Sequence, residues 1–218
     1  MGFFISAALS YTILVPVTIG ILRFSKINSA YYPFIFCLCM GLINETLSVA
    51  LVMNGYYNTV NCNIYMLLES VFLVWQFKRW NLFKGTNWWI WVIVAVLVST
   101  WIAENFIFFR ITRYSSYFLI VYSFIISILS ITIINRLIVT ERKSLVRNPI
   151  FIISVAFVMF YTVSVLSEAF WIYGLSEDPG LSSKLQNISV LTNFIAIILY
   201  SVAILWMPSK QKFTLPSS

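Results

Sequence analysis

Seven stretches of the chain are apolar on every side of a helical projection, at 3–22, 31–54, 60–77, 88–109, 115–138, 149–173 and 187–207. About 20 residues at 1.5 Å each cross the roughly 30 Å of hydrocarbon in a bilayer, so each stretch reads as one transmembrane helix. Barrel strands would alternate apolar and polar over about ten residues, and these runs do not; helices are then the one structure that satisfies their backbone in lipid. The pattern predicts an all-α polytopic membrane protein with seven transmembrane helices in a single transmembrane domain over 1–218.

Composition agrees. Of 218 residues, 61% are hydrophobic and 10% charged, against roughly 45–50% apolar in soluble domains. The net charge of +7 would suit a polyanion, so its distribution decides. If the first loop is cytoplasmic, Arg23, Lys26, Lys78, Arg79, Lys84, Arg136, Arg142, Lys143, Arg147, Lys210 and Lys212 fall inside, eleven of the fourteen basic residues. Arg110, Arg113 and Lys184 fall outside, with Glu104, Glu177 and Asp178. The positive-inside rule then places the N-terminus outside and the C-terminus in the cytoplasm, and the surplus cations need no nucleic acid to explain them. Arg142, Lys143 and Arg147 read as holding the cytoplasmic surface against anionic lipid, while in a sensor the basic loop Arg136 to Arg147 would be the contact with a cytoplasmic partner.

Met1 to Ser6 carries no basic region and no small-residue cleavage site precedes Arg23, so the first run reads as a retained helix and not a cleaved signal. Met1-Gly2 to Ser6 fits the loose myristoylation pattern, which an external N-terminus makes a false match. Cys37 and Cys39 lie in the second run and Cys62 in the third, with no pair favoured for a disulfide. The absence of histidine excludes the usual zinc sites and histidine-based catalytic dyads.

Three acidic residues stand where lipid should forbid them. Glu45, Glu69 and Glu168 lie within apolar runs, with no Lys or Arg at comparable depth. A charge near mid-membrane costs about 2.5–3.5 kcal/mol on insertion scales, so protonation, a bound cation or a wet cavity must offset it. Helical spacing supports a polar interior. Gly41, Glu45 and Ser48 share one face of the second helix, and Asn61, Tyr65, Glu69 and Gln76 share one of the third. Ser154, Tyr161, Ser164 and Glu168 align on the sixth, and Gln186, Ser189, Asn193 and Tyr200 on the seventh. Ser116, Ser123, Ser127 and Ser130 form a stripe on the fifth that reads as helix packing. Glu45 and Glu69 fall roughly 13 Å below the outer boundary and Glu168 and Asn193 roughly 8–10 Å. These positions suit either a pocket open to the outside or a sealed, hydrogen-bonded cluster that serves stability.

Trp80, Trp88, Trp89, Trp91, Trp206, Tyr31, Tyr32, Tyr56 and Tyr57 sit at run ends and read as interfacial anchors. Trp101, Tyr122, Tyr161 and Trp171 are candidates for pocket walls.

A faint repeat underlies the pattern. Asn63 to Glu69 opens the third helix and Asn187 to Asn193 opens the seventh, while Glu45 maps onto Glu168 at almost the same offset. Parallel repeats over 1–80 and 114–210, joined by a linker helix at 87–109, would pair Glu45 with Glu168 and Glu69 with Asn193. This three-plus-one-plus-three layout resembles the SWEET and PQ-loop transporters, and the resemblance implies a pocket between the repeats. The chain has no Pro-Gln pair, and Pro16, Pro33, Pro149 and Pro208 do not reproduce the mid-helix prolines of those families, so no substrate is carried across. Gly41-Leu42-Ile43-Asn44-Glu45, Asn61 to Glu69, Arg147-Asn148-Pro149-Ile150-Phe151 and Asn193 to Trp206 resemble small seven-helix proteins of Bacteroidota. That resemblance implies a multi-pass protein of a bacterial inner membrane and supplies no activity.

The functional expectation is a small-solute or cation site in the bundle, with proton-coupled transport as its leading use. Glu45, Glu69 and Glu168 would exchange protons or hold a cationic group, and Asn193, Asn61, Tyr65 and Tyr161 would orient the ligand. A seven-helix sensor signalling to a cytoplasmic partner, and an accessory subunit of a larger membrane complex, stay open as alternatives. No nucleophile–base pair, phosphate loop, metal-ligand spacing or cofactor motif marks an enzyme.

Overall fold

A computed structural model describes residues 3–83, 88–140, 145–174 and 179–209. The Met1-Gly2 motif and the charges of Lys84, Arg142, Lys143, Glu177, Asp178, Lys210 and Lys212 lie outside the described residues. Nearly everything described is helical: α1 (Phe3–Ser10), α2 (Leu14–Arg23), α3 (Tyr32–Met53), α4 (Thr59–Arg79), α5 (Trp88–Ile102), α6 (Ser116–Thr140), α7 (Pro149–Ile172) and α8 (Pro179–Trp206). α1 and α2 form one rod, interrupted by a 3-10 turn at Tyr11–Ile13. Pro16 has no N–H to give Thr12, which accounts for the tightened turn just before it. α5 continues into a π-helical segment at Ala103–Phe108.

Six rods are long and apolar enough to cross a membrane. The seventh, α4, has the length but carries Asn61, Asn63, Glu69 and Gln76 among its apolar residues. The fold is therefore that of a multi-pass helical membrane protein. The observed bounds lie within two residues of most apolar runs; α8 begins eight residues before the predicted start, because Gly180 to Gln186 are helical without being apolar.

Rod neighbours form a closed circuit. The α1–α2 rod packs on α3, α3 on α4, α4 on α6, α6 on α7, α7 on α8, and α8 returns to α2. α5 stands outside this ring, against α4 and α6. Successive rods alternate in direction, and contacts fix which ends meet. The Arg23 guanidinium, in the last turn of α2, donates to the carbonyls of Ile204, Leu205 and Met207 at the end of α8, satisfying acceptors that every helix C-terminus leaves over. Ile27 and Ser209 bridge beside it. Arg136 donates to the Trp80 and Asn81 carbonyls at 2.9 and 2.8 Å, bringing the ends of α6 and α4 to the same side. Arg79 donates to Ser29 at 3.0 Å. Arg23, Lys26, Lys78, Arg79, Arg136 and Arg147 thus gather at one end of the ring, here the basic end. Arg110, Arg113 and Lys184 lie at the other.

Large side chains fill the ring near the basic end: Phe34, Leu73, Phe77, Ile126, Ile153 and Phe157 are fully buried. Gln76, read from sequence as part of a polar face, is buried among them. Its Oε1 accepts from Phe34 N at 2.8 Å and its Nε2 donates to Ala30 O at 2.7 Å, so it caps the start of α3. Trp80 and Tyr31 are buried against each other, ring centroids 6.4 Å apart, and not placed as the interfacial anchors expected of them. Trp88, Trp89, Trp91, Tyr56 and Tyr57 are exposed.

Candidate functional site

Toward the opposite end the ring is not filled. A cavity of about 420 Å³ lies between the rods, within the usual size of small-molecule sites. Glu45 of α3, Tyr65 and Glu69 of α4, Tyr161 and Glu168 of α7 and Asn193 of α8 all line it. Ser10 and Ile13 contribute from the interrupted first rod, and Cys37 and Cys62 from α3 and α4. Phe34, Phe157 and Tyr200 floor it toward the basic end, with Phe34 and Tyr200 centroids 5.3 Å apart and Phe157 and Tyr200 5.9 Å apart. Among the described residues no Lys or Arg lines it. Among the described residues no group of three or more acidic or cysteine side chains is arranged to hold a metal ion.

Glu69 is the most tightly held of the three carboxylates. Tyr65, one turn before it, donates to Oε1 at 3.0 Å, and Tyr122 of α6 donates to Oε2 at 2.9 Å. Tyr161 of α7 also directs its phenol toward it. Three phenols from three helices therefore converge on one carboxyl. Gly41 makes room for this: a Cβ there would stand 3.2 Å from the Tyr65 hydroxyl and 3.0 Å from Ile13 Cδ1. The Ser116 hydroxyl, at the start of α6, is directed toward Glu168. Glu45 has no hydrogen-bond partner among the described residues.

Asn61 stands apart from the cavity lining. Its amide donates to Asn44 at 2.9 Å, Asn58 at 3.0 Å and Ser48 at 3.2 Å, closing α3 onto α4. Trp101 is not a wall either, since its indole donates to the Asn63 carbonyl at 2.9 Å. Tyr122 is a wall, and Trp171 lines a second, smaller cavity of about 200 Å³. Of the serine stripe, Ser123, Ser127 and Ser130 are buried in the helix packing, as expected.

Sequence reading missed the loop that crowns the site. Asn63 is fully buried and donates to the Arg113 carbonyl at 2.7 Å, the Ile111 carbonyl at 2.9 Å and Asn105 Oδ1 at 3.2 Å, while accepting from Ser115 N at 3.1 Å. Ser115 in turn donates to Asn105 at 3.0 Å. Glu104, from the π-helical segment, accepts from Tyr117 N at 3.1 Å and from Phe118 N at 2.5 Å, capping α6 where free N–H groups favour an anion. Together they pin residues 109–115 over the ring and set Tyr114 between the two cavities, both of which it lines. Packing around its hydroxyl pushes the Tyr114 phenol above its ordinary range, and the Glu168 carboxyl adds in the same direction. A tyrosine in a short polar loop carries no pattern that would have singled it out.

The chain matches no family model, no curated protein and no solved structure.

Proposed function

We propose that the protein binds a small polar solute or cation in this cavity and moves it across the membrane in exchange with protons held on Glu45, Glu69 and Glu168. The observation that carries the reading is the meeting of carboxylates from α3, α4 and α7 on one cavity whose lining, among the described residues, holds no basic side chain to neutralise them. Intramembrane acidic groups of this kind serve proton relays and cation sites in transporters.

The basic end is read as cytoplasmic by the positive-inside rule, giving N-out and C-in, and the resemblance to small seven-helix proteins of Bacteroidota implies an inner-membrane location. The circuit of rods supports the internal repeat. In the order of neighbours round the ring, the first rod, α3 and α4 are followed by α6, α7 and α8, so a repeat would pair the first rod with α6, α3 with α7 and α4 with α8. That pairing would match Glu45 with Glu168 and Glu69 with Asn193, and all four line the cavity. Parallel repeats with a midplane site are a known transporter plan, and the layout keeps its resemblance to the SWEET and PQ-loop architecture.

Proteoliposomes containing a pH dye test the reading. Some solute in a panel of small amines, sugars and amino acids should drive proton movement, and Glu69→Gln and Glu168→Gln should abolish it. If neither protons nor any solute move with the parent protein, transport is wrong. One observation favours a receptor as the second reading: the aromatic floor at Phe34, Phe157 and Tyr200 closes the cavity toward the basic end. Ligand binding without flux would favour it.

A further inference from the structure

We infer that the cavity takes an organic monocation with an apolar body, of the alkylammonium class, in preference to a bare metal ion or an anion. The inference rests on the reading of this cavity as a solute site and specifies its chemistry.

Charge sets the sign. Among the described residues every ionisable lining group other than phenol and thiol is a carboxyl, and no guanidinium or ammonium lines the cavity with them. Low-dielectric walls focus such a field and enrich the opposite charge inside. The arrangement of the carboxyls sets the size. They come from three different rods and form no metal-ligating group among the described residues, so a compact divalent ion finds no cage. A molecule that fills the space meets them singly. Glu69 has both oxygens occupied by phenols, whereas Glu45 has no hydrogen-bond partner among the described residues, so Glu45 is the carboxyl open to a ligand N–H. The remaining wall suits an alkyl or aryl body: Phe34, Phe157 and Phe160 line it beside Tyr122 and Tyr161, whose centroids are 5.6 Å apart. Ring faces of this kind also attract ammonium groups at up to about 6 Å.

Two native thiols in the lining, Cys37 and Cys62, allow the charge preference to be read directly. In a Cys39→Ala background, the reconstituted protein is treated with 2-(trimethylammonium)ethyl methanethiosulfonate or with the anionic 2-sulfonatoethyl reagent. Thiolate attack forms the mixed disulfide and expels methanesulfinate. Rates at each cysteine are followed by peptide mass spectrometry and normalised to those with free 2-mercaptoethanol. The cationic reagent should be favoured by about tenfold or more, the preference should shrink in Glu45→Gln, and tetraethylammonium should protect both thiols. Glu69→Gln should shrink it further; should that variant fail to fold, Glu45→Gln, which breaks no hydrogen bond, still decides. Equal normalised rates, or faster anionic labelling, would overturn the cation assignment while leaving an accessible cavity. Labelling by neither reagent, with both thiols labelled after unfolding in detergent, would overturn the solute-site reading itself.

Discussion

The Tyr122 phenol donates to Glu69 Oε2 at 2.9 Å, joining α6 to α4 at the seam where the first three rods of the ring meet the last three. Bonds to charged acceptors contribute about 1.5–3 kcal/mol and neutral ones about 1 kcal/mol. Tyr122→Phe should therefore lower stability by about 1–2 kcal/mol, read as a reduced Tm in mild detergent. Combined with Glu69→Gln, it should show a coupling above about 0.5 kcal/mol. Strictly additive losses would mean that the two side chains do not act together.

Gln76→Leu should destabilise far more than its apolar surroundings suggest. The change leaves the buried Phe34 N–H and the part-buried Ala30 carbonyl without the Gln76 amide, at about 1–3 kcal/mol for a buried group and less for a part-buried one. Chemical unfolding should show a loss of about 3 kcal/mol or more. A neutral result would indicate that α3 finds another cap.

At Gly41 space is the limit. An added methyl would press Ile13 at 3.0 Å and the Tyr65 hydroxyl at 3.2 Å. Overpacking of this kind costs about 1–3 kcal/mol. Gly41→Ala should fall at the lower end, because Ile13 Cδ1 can swing aside, and Gly41→Val well above it. The second variant should also weaken solute binding, since displacing Tyr65 releases one oxygen of Glu69. Wild-type binding by Gly41→Val would count against that link.

Replacing Glu104 tests the crown. Its two oxygens serve two N–H groups of α6, and an amide keeps one acceptor oxygen. Glu104→Gln should cost about 1 kcal/mol and Glu104→Ala about 2 kcal/mol, in the range of lost helix caps. Hydrogen exchange should speed up at Tyr117 and Phe118 first; uniform acceleration along α6 would argue against a local cap.

The rods were legible because lipid permits little else: once backbone groups must pair internally, a run of apolar residues has to be helical. Residues 180–186 were not, since helix continues through polar residues wherever water or headgroups receive their side chains. The cavity's carboxylates were legible through their cost, as a glutamate in an apolar run demands compensation. Gln76 and Asn61 carried the same polarity on the same helical face, yet one caps α3 and the other ties α3 to α4. Spacing finds a face; it cannot tell whether the neighbour across it is empty space or a backbone carbonyl. Tyr114 and the Asn63 network depend on a loop conformation fixed by contacts far apart in sequence.

The position of α5 has a consequence in simple parity. A segment of three crossings finishes on the side of the membrane opposite to the one where it began. A second such segment can run parallel to the first only if the chain crosses once more between them. In the proposed repeat α5 would make that crossing; it packs outside the ring and lends no residue to the larger cavity. With α4 counted as a seventh crossing, as proposed, the total would be two odd numbers and a return trip, and a chain cut on either side of α5 would keep every cavity residue on its two halves.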